Sequence, residues 1–403
     1  MAKRQTGTIK KRIFRITAAF LMLVCMAMSL SQSGYPKSGR DIRIICQEDG
    51  MSGKEAADIQ AHAAEAQEEF PDFTVWGEQQ ETRISNQDLG REETVSLITV
   101  CGDSRLVLDG DSWLDFGDYD GCLIDETLSW QLFGSFGGQG EKIQIGDRTY
   151  FVRGILDDTK GTVIVQAGEQ EESLDKISVE IPEGATAEET VRKLSNQFGF
   201  SETTVNYEVY RLWGEMISLI LPCVLGISVL AFMAKRIMVC RDGTGNFTFC
   251  MLEGILFLAV FLWILDIQIK IPGELLPTKW SDFEFWTELR QQKQEEFLLM
   301  LYGVKTKPEI LYMTGFFQTL AWSGGAFVCW FFSLRSMRVN PEAGNLTLIC
   351  CFIIIGFALL EKMGGEGVRP FGYRIVWLIL PWYLLGRQEV CRELVRHNPR
   401  LGL

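Results

Sequence analysis

Residues able to do chemistry are few in this 403-residue chain, and their spacing restricts what they could do. Gly50-Met-Ser-Gly-Lys54 comes nearest to a phosphate-cradling loop, but it lacks the G-x-x-x-x-G-K-[ST] spacing, so the chain is not expected to hydrolyse ATP by the usual route. Gly134, Gly137, Gly138 and Gly140 follow a predicted helix and precede a strand, which reverses the order of a dinucleotide fingerprint. His62 and His397 are the two histidines, so no histidine-based metal centre is expected, and no cofactor. Glu253, Asp266 and Glu361 lie in apolar blocks, where a charge is costly. Glu253 stands two turns inside its block; it either pairs with a basic residue of a neighbouring helix or lines a path, or it is an interfacial or protonated carboxylate. Glu253 and Asp266 are 13 residues apart on one predicted helix, too far to act as a pair. The expectation is a chain that is not an enzyme.

Composition explains where these residues sit. The chain is 47% hydrophobic yet 23% charged, a mixture that requires segregation. Acidic residues cluster between 48 and 190, and unbroken apolar blocks dominate after 212. The net charge of −13 therefore belongs largely to one module, which has nothing with which to neutralise nucleic-acid phosphates. Cys25, Cys223, Cys250, Cys329, Cys350 and Cys351 lie inside apolar blocks and read as small hydrophobes. Cys46, Cys101 and Cys122 fall in the soluble module; Cys101 and Cys122 are candidates for a disulfide, with one thiol left over.

The module is organised around Gly121–Leu156, GCLIDETLSWQLFGSFGGQGEKIQIGDRTYFVRGIL. Cys122–Ile124 is a short apolar run, and Glu126–Phe133 carries Leu128, Leu132 and Phe133 at helical spacing. The glycines then break the helix. Lys142–Ile145 and Tyr150–Leu156, separated by Gly146-Asp147, form a predicted hairpin. The run I-D-E, L, W-Q, L-F-G, followed by the V-R-G-I-L strand, resembles the extracytoplasmic core domain of MacB/FtsX-type ABC transporter permeases. About thirty residues resemble it well, and 41–206 loosely. The resemblance gives structural roles to hairpin residues: Leu132, Phe133, Gly134 and Gly140 would set its geometry, and Tyr150, Val152 and Gly154 would seat it on the core.

Two flanking segments share one order. Asp41–Cys46 is a predicted strand, Ser52 caps a helix with Glu55 three residues on, and Pro71–Trp76 returns as a strand. Lys176–Ile181, a helix from Thr186 to Phe198 with Glu189, and Thr203–Tyr207 repeat that order. The expected fold class is α+β, two βαβ halves with a β-rich insertion, joined to an α-helical membrane domain of about six spans.

Residues 1–30 carry a basic start and an apolar run, which fits a signal peptide but is taken as an uncleaved transmembrane anchor because the resemblance requires a first span. The core domain is placed at 41–210, the helical membrane domain at 212–387 and a tail at 388–403. Leu212–Met233, Phe247–Ile269, Leu311–Leu334, Asn345–Leu360 and Tyr373–Leu385 are the five further apolar blocks. This count puts Lys235, Arg236, Arg335, Arg338 and the arginine-rich tail inside, with both termini cytoplasmic and residues 31–211 outside. Trp280, Phe283 and Trp286 in the 270–310 loop suit one face of a short helix anchored at the outer interface. Gly324-Gly325 permits close helix packing.

The resemblance implies a permease-type subunit coupling a separate cytoplasmic ABC ATP-binding protein to the outer domain, as a homo- or heterodimer in the lipid bilayer. Lys235, Arg236, Arg335 and Arg338 are then the candidate docking residues for the ATPase. The chain departs from the family in carrying five apolar blocks after the outer domain where three are usual. The alternative is a non-transporting sensor or scaffold that kept the outer domain.

Overall fold

The computed structural model describes residues 2–33, 40–65, 70–108, 110–156, 159–168, 173–182, 184–201, 203–241, 247–268 and 305–332, with isolated positions between 286 and 302 and Tyr383. These divide into a platform unit, Pro36–Val209 with Pro272–Met313, and a helical unit, Met1–Tyr35, Tyr210–Ile271 and Thr314–Leu403. After α1 (Ala2–Ser33), the platform unit runs β1 (Ile42–Met51), α2 (Gly53–Glu65), β2 (Phe73–Asn86), β3 (Arg91–Cys101), β4 (Gly121–Asp125), α3 (Glu126–Phe133), β5 (Lys142–Ile145), β6 (Arg148–Leu156), β7 (Thr162–Gln166), β8 (Leu174–Glu180), α4 (Ala187–Phe198) and β9 (Thr204–Val205).

The two βαβ halves interleave. The strand order β2-β8-β1-β9 places β8 between β1 and β2, and β1 between β8 and β9, with antiparallel neighbours throughout. Each helix thus connects parallel strands separated by one strand from the other half, the split βαβ arrangement of ferredoxin-like sheets. Both helices cover one face: Ala56 of α2 and Val191 and Leu194 of α4 share a cluster with Ile45, Val75 and Ile177. The predicted capping box forms, with Glu55 N–H donating to Ser52 Oγ (3.3 Å) and Ser52 N–H donating to Glu55 Oε2 (3.0 Å). Thr186 caps α4 and Gly199 ends it in the left-handed region at φ 73°.

The insertion is a closed barrel. β2 pairs with β3, β3 with β7, β7 with β4, β4 with β6, β6 with β5, and β5 returns to β2. Closure removes the exposed strand edges an open insertion would present. β2 serves both parts, pairing with β8 through Phe73–Trp76 and with β5 at Ile84–Ser85. Its register with β3 shifts between Gln79 and Thr82, where Glu81 has φ 58°, a bulge that re-aims the strand from platform to barrel. Strand β2 consequently extends well past the predicted Trp76.

One face of α3 buries Leu128 and Leu132 in a cluster with Ile84, Cys122, Ile143 and Val152 of the barrel strands. The predicted bounds of α3 and β5 coincide with the observed ones. The Cys101–Cys122 disulfide is corrected: both are free, buried thiols in different clusters. β7 lies between their strands, since Cys122 faces Val165, which in turn faces Thr99. Two strand spacings put the backbones at least about 9 Å apart, beyond disulfide reach.

The helical unit contains most of α1, α5 (Glu208–Arg241), α6 (Phe247–Gln268) and α7 (Lys307–Phe332). Met22, Met26, Leu225, Phe257, Phe261 and Trp330 share its core. One helix among the described residues, Val209–Lys235, is long and apolar enough to cross a membrane, and Phe20–Ser33 and Cys250–Ala259 are shorter apolar stretches. The apolar blocks 345–360 and 373–385, and the tail, lie outside the described residues. Close helix packing occurs at Gly226, where an added Cβ would stand 2.2 Å from the Phe261 ring; of the predicted pair, Gly324 has nothing within 4 Å and a Cβ on Gly325 would meet Cys25 Sγ at 3.5 Å.

Candidate coupling site

Helix α7 belongs to both units: its first turns, to Met313, are grouped with the platform and the remainder with the helical unit. Its start at Lys307 is dictated locally. Thr306-Lys307-Pro308-Glu309 places a capping residue, a first-turn proline with no N–H to leave unsatisfied, and an acid near the positive helix end. Ile310 N–H donates to Thr306 O (2.9 Å), and Lys305 Nζ pairs with the buried Glu309 carboxylate. The apolar block read from the sequence begins at Leu311, whereas the T-x-x-E signal of Thr306 and Glu309 marks the helix start at Lys307.

The Lys307 N–H is one of the helix's orphan donors, and its acceptor comes from far away in sequence. It donates to Glu78 Oε2 at 2.7 Å, on β2 beside the bulge. Lys307 Nζ donates to Lys160 O (2.8 Å), and Gln80 Nε2 donates to Lys305 O (3.2 Å). Tyr207, buried at the end of the second βαβ half, hydrogen-bonds Thr306 Oγ1 through its hydroxyl (3.3 Å) and packs near Tyr312, 6.3 Å between ring centroids.

Burial pushes the Glu78 carboxyl above its ordinary range, against the opposing pull of the Lys307 N–H, the Ser96 hydroxyl and the charges of Lys307 and Lys176. Burial likewise raises the Tyr207 phenol and the nearby Cys46 thiol. The arrangement has no nucleophile beside a base. What it can do is hold the start of a helix to a sheet.

The other predicted residues are dispersed. Leu132 and Val152 are fully buried in the barrel, Tyr150 is buried beside them, and Phe133 packs against that cluster from its margin. Gly134 ends α3 at φ 76°, its N–H donating to Trp130 O. Gly140 adopts φ 86° and donates to Val152 O (2.8 Å). Gly154 is where the loop before β4 crosses: an added Cβ would meet Ser112 at 2.4 Å. Sequence reasoning missed Asp125, although it stands in the quoted I-D-E run. Fully buried, Asp125 accepts from Leu128 N–H (3.0 Å) as the cap of α3 and from Thr162 N–H (2.8 Å) of β7.

Lys235 is exposed on α5, which continues unbroken to Arg241. Arg236 lies on the same turn, while Arg335 and Arg338 lie outside the described residues, as do Trp280 and Phe283. Trp286 is exposed. Glu253 is half-buried on α6.

The platform and its barrel stand in sequence between two apolar helices. Residues 16–197 match the family described as MacB-like periplasmic core domain, which bears out the resemblance read from the sequence. Among solved structures the chain is similar to the periplasmic region of MacB from Actinobacillus actinomycetemcomitans, at 12% identity, covering 41% of this chain and 87% of that one with a TM-score of 0.32. It is also similar to the extracellular domain of the noncanonic ABC-type transporter YknZ from Gram-positive bacteria, at 15% identity, 40% and 97% coverage and a TM-score of 0.29. No curated protein matches the chain.

Proposed function

We propose that the chain is the permease-type membrane subunit of an ABC transporter or mechanotransmission system, and that it works with a separate cytoplasmic ATP-binding protein. It is not itself an enzyme in this reading. It has six spans, both termini in the cytoplasm and residues 31–211 outside. Lys235, Arg236, Arg335 and Arg338 dock the ATPase, and the working unit is a homo- or heterodimer. The match of 16–197 to the MacB-like periplasmic core domain supports this reading. The observation that carries the mechanical part is the Glu78 carboxylate holding the first turn of α7, because a helix fixed to the sheet at one end passes its displacement to that sheet.

The test is purification of the full chain in mild detergent together with its host's soluble proteins. The expected outcome is co-purification of an ATPase whose activity rises on association, and loss of that association when Lys235 and Arg236 are replaced by Ala. A chain that purifies alone, with both replacements harmless to function, would favour the sensor or scaffold.

A further inference from the structure

The barrel presents an exposed aromatic surface for which its own fold has no use. Trp113, Phe116, Tyr119, Trp130 and Phe136 are each about half exposed, from 46% to 59%. All five fall between Leu106 and Glu141, a stretch without a single Lys or Arg. They belong to two loops and the helix between them, and both loops converge on one strand. Phe151 N–H donates to Asp120 O (2.7 Å) from the first loop. In the second loop Gly140 N–H donates to Val152 O (2.8 Å), and Val152 N–H donates back to Glu141 O (2.9 Å).

These rings are held in place, not left loose. Leu114 is buried and its N–H donates to Ser104 Oγ (3.0 Å), while Ser112 fills the space over Gly154. Asp118 grips Arg153 through two hydrogen bonds (2.8 and 3.2 Å). Trp113 Nε1 donates to Asp115 Oδ1 (3.2 Å), and the Arg105 guanidinium sits 5.0 Å over the Trp113 ring. Trp130 and Phe136 stack on each other, 4.8 Å apart with planes inclined at 20°. Such ordering leaves little conformational entropy to lose on contact. Single exposed apolar residues are ordinary, but clustered and pre-ordered aromatics mark interaction surfaces.

Charge determines the occupant. Asp111, Asp115, Asp120, Glu126 and Glu141 are exposed around the rings. Of the cations nearby, Arg105 is matched by Asp103 (2.7 Å) and Arg153 by Asp118 (2.8 Å), while Arg91 donates to Gln131 O (3.2 Å) and Lys142 lies 5.6 Å from the Phe151 ring centroid, so the exposed acids remain in excess. We infer that this end of the barrel docks a basic, apolar-bearing segment of a protein partner outside the membrane, whose Lys or Arg side chains meet the acids and ring faces while its apolar side chains pack between the rings. This deepens the proposed function by giving the chemistry of the client, and it rests on the barrel facing outward.

The probe is a labelled peptide of alternating Lys and Trp, followed by fluorescence anisotropy on the full chain in maltoside micelles, with empty micelles as baseline. No ATP or ATPase is present, so failure here is separable from failure of the transporter reading. The expected result is salt-sensitive binding that the Glu–Trp and Lys–Ala analogues do not reproduce. The W113A/F116A/Y119A variant should bind at least about tenfold more weakly with unchanged melting temperature, as loss of aromatic anchors gives. D111N/D115N/D120N should weaken binding and flatten its salt dependence, whereas E48Q/D49N/E65Q, which removes equal charge elsewhere, should change it less than about twofold. Equal loss in the control variant, or full binding by the aromatic variant, would overturn the proposal.

Discussion

Two helices in the platform unit begin on a carboxylate, and the carboxylates come from opposite kinds of place. Asp125 is the residue immediately before α3, so chain connectivity alone delivers it to the helix end. Glu78 reaches the start of α7 from β2, 229 residues away in sequence. A local cap fixes where a helix starts, and α3 would begin at Glu126 in many contexts. A remote cap fixes what a helix is attached to. The difference separates a group that holds the barrel together from one that ties a distant helix start to it.

Replacing Asp125 by Ala should give the largest effect, because two buried N–H donors, those of Leu128 and Thr162, lose their acceptor together. The expected loss is about 3 kcal/mol, from one broken cap and one unsatisfied buried donor. Thermal unfolding of the full chain in detergent, followed by near-ultraviolet circular dichroism, measures it. A change under about 1 kcal/mol would erase the distinction from Glu78. Gly154→Ala comes next. The new methyl group would press on Ser112 within a barrel that has no open edge to yield, at a cost of about 1–3 kcal/mol, with the same melt as readout.

Glu78→Ala sharpens the contrast. Its stability cost should be only about 1 kcal/mol, the usual price of a helix cap, since the barrel core is untouched. In the proposed complex with an ATPase, its effect on ATPase stimulation should be much larger than that of a surface change of equal stability cost. Equal effects of the two on coupling would mean that Glu78 is merely a cap.

The same local-to-remote divide decides what the sequence disclosed. The apolar spacing of Leu128, Leu132 and Phe133, and Gly134 after them, lie within one short run, and the bounds of α3 followed from them. Ser52 with Glu55, and Thr186 with Glu189, announced their helices in the same way. Closure of the barrel was hidden, because β2 meets β5 only through Ile84 and Ser85, in a strand whose pattern is broken by the bulge at Glu81. Cys101 and Cys122 stood as candidates for a disulfide since no local pattern shows that β7 separates them. Nothing local marks Glu78; its role exists only once β2 and the start of α7 meet.

Glu55 and Glu78 supply the smallest and most diagnostic test, because each accepts a backbone N–H near a helix start yet they shift in opposite directions. Glu55 is fully solvent-exposed, so its hydrogen bonds from Ser52 dominate and lower its pKa below 4.5. Glu78 is pressed against the sheet, so desolvation dominates and raises its pKa above 4.5. By linkage, the Glu55 contribution is complete above the ordinary value and fades as pH falls through the lowered one. The Glu78 contribution is complete below the ordinary value and fades as pH rises through the raised one, so ionised Glu78 is held at a cost. Melting temperatures across about pH 3 to 7 at fixed ionic strength should therefore show E55Q losing part of the decline on the acid side. E78Q, which keeps an acceptor for Lys307 N–H but carries no charge, should lose part of the decline on the neutral side. Matching pH profiles for the two variants would mean that the remote cap is solvated like the local one, and that the start of α7 is free to leave the sheet.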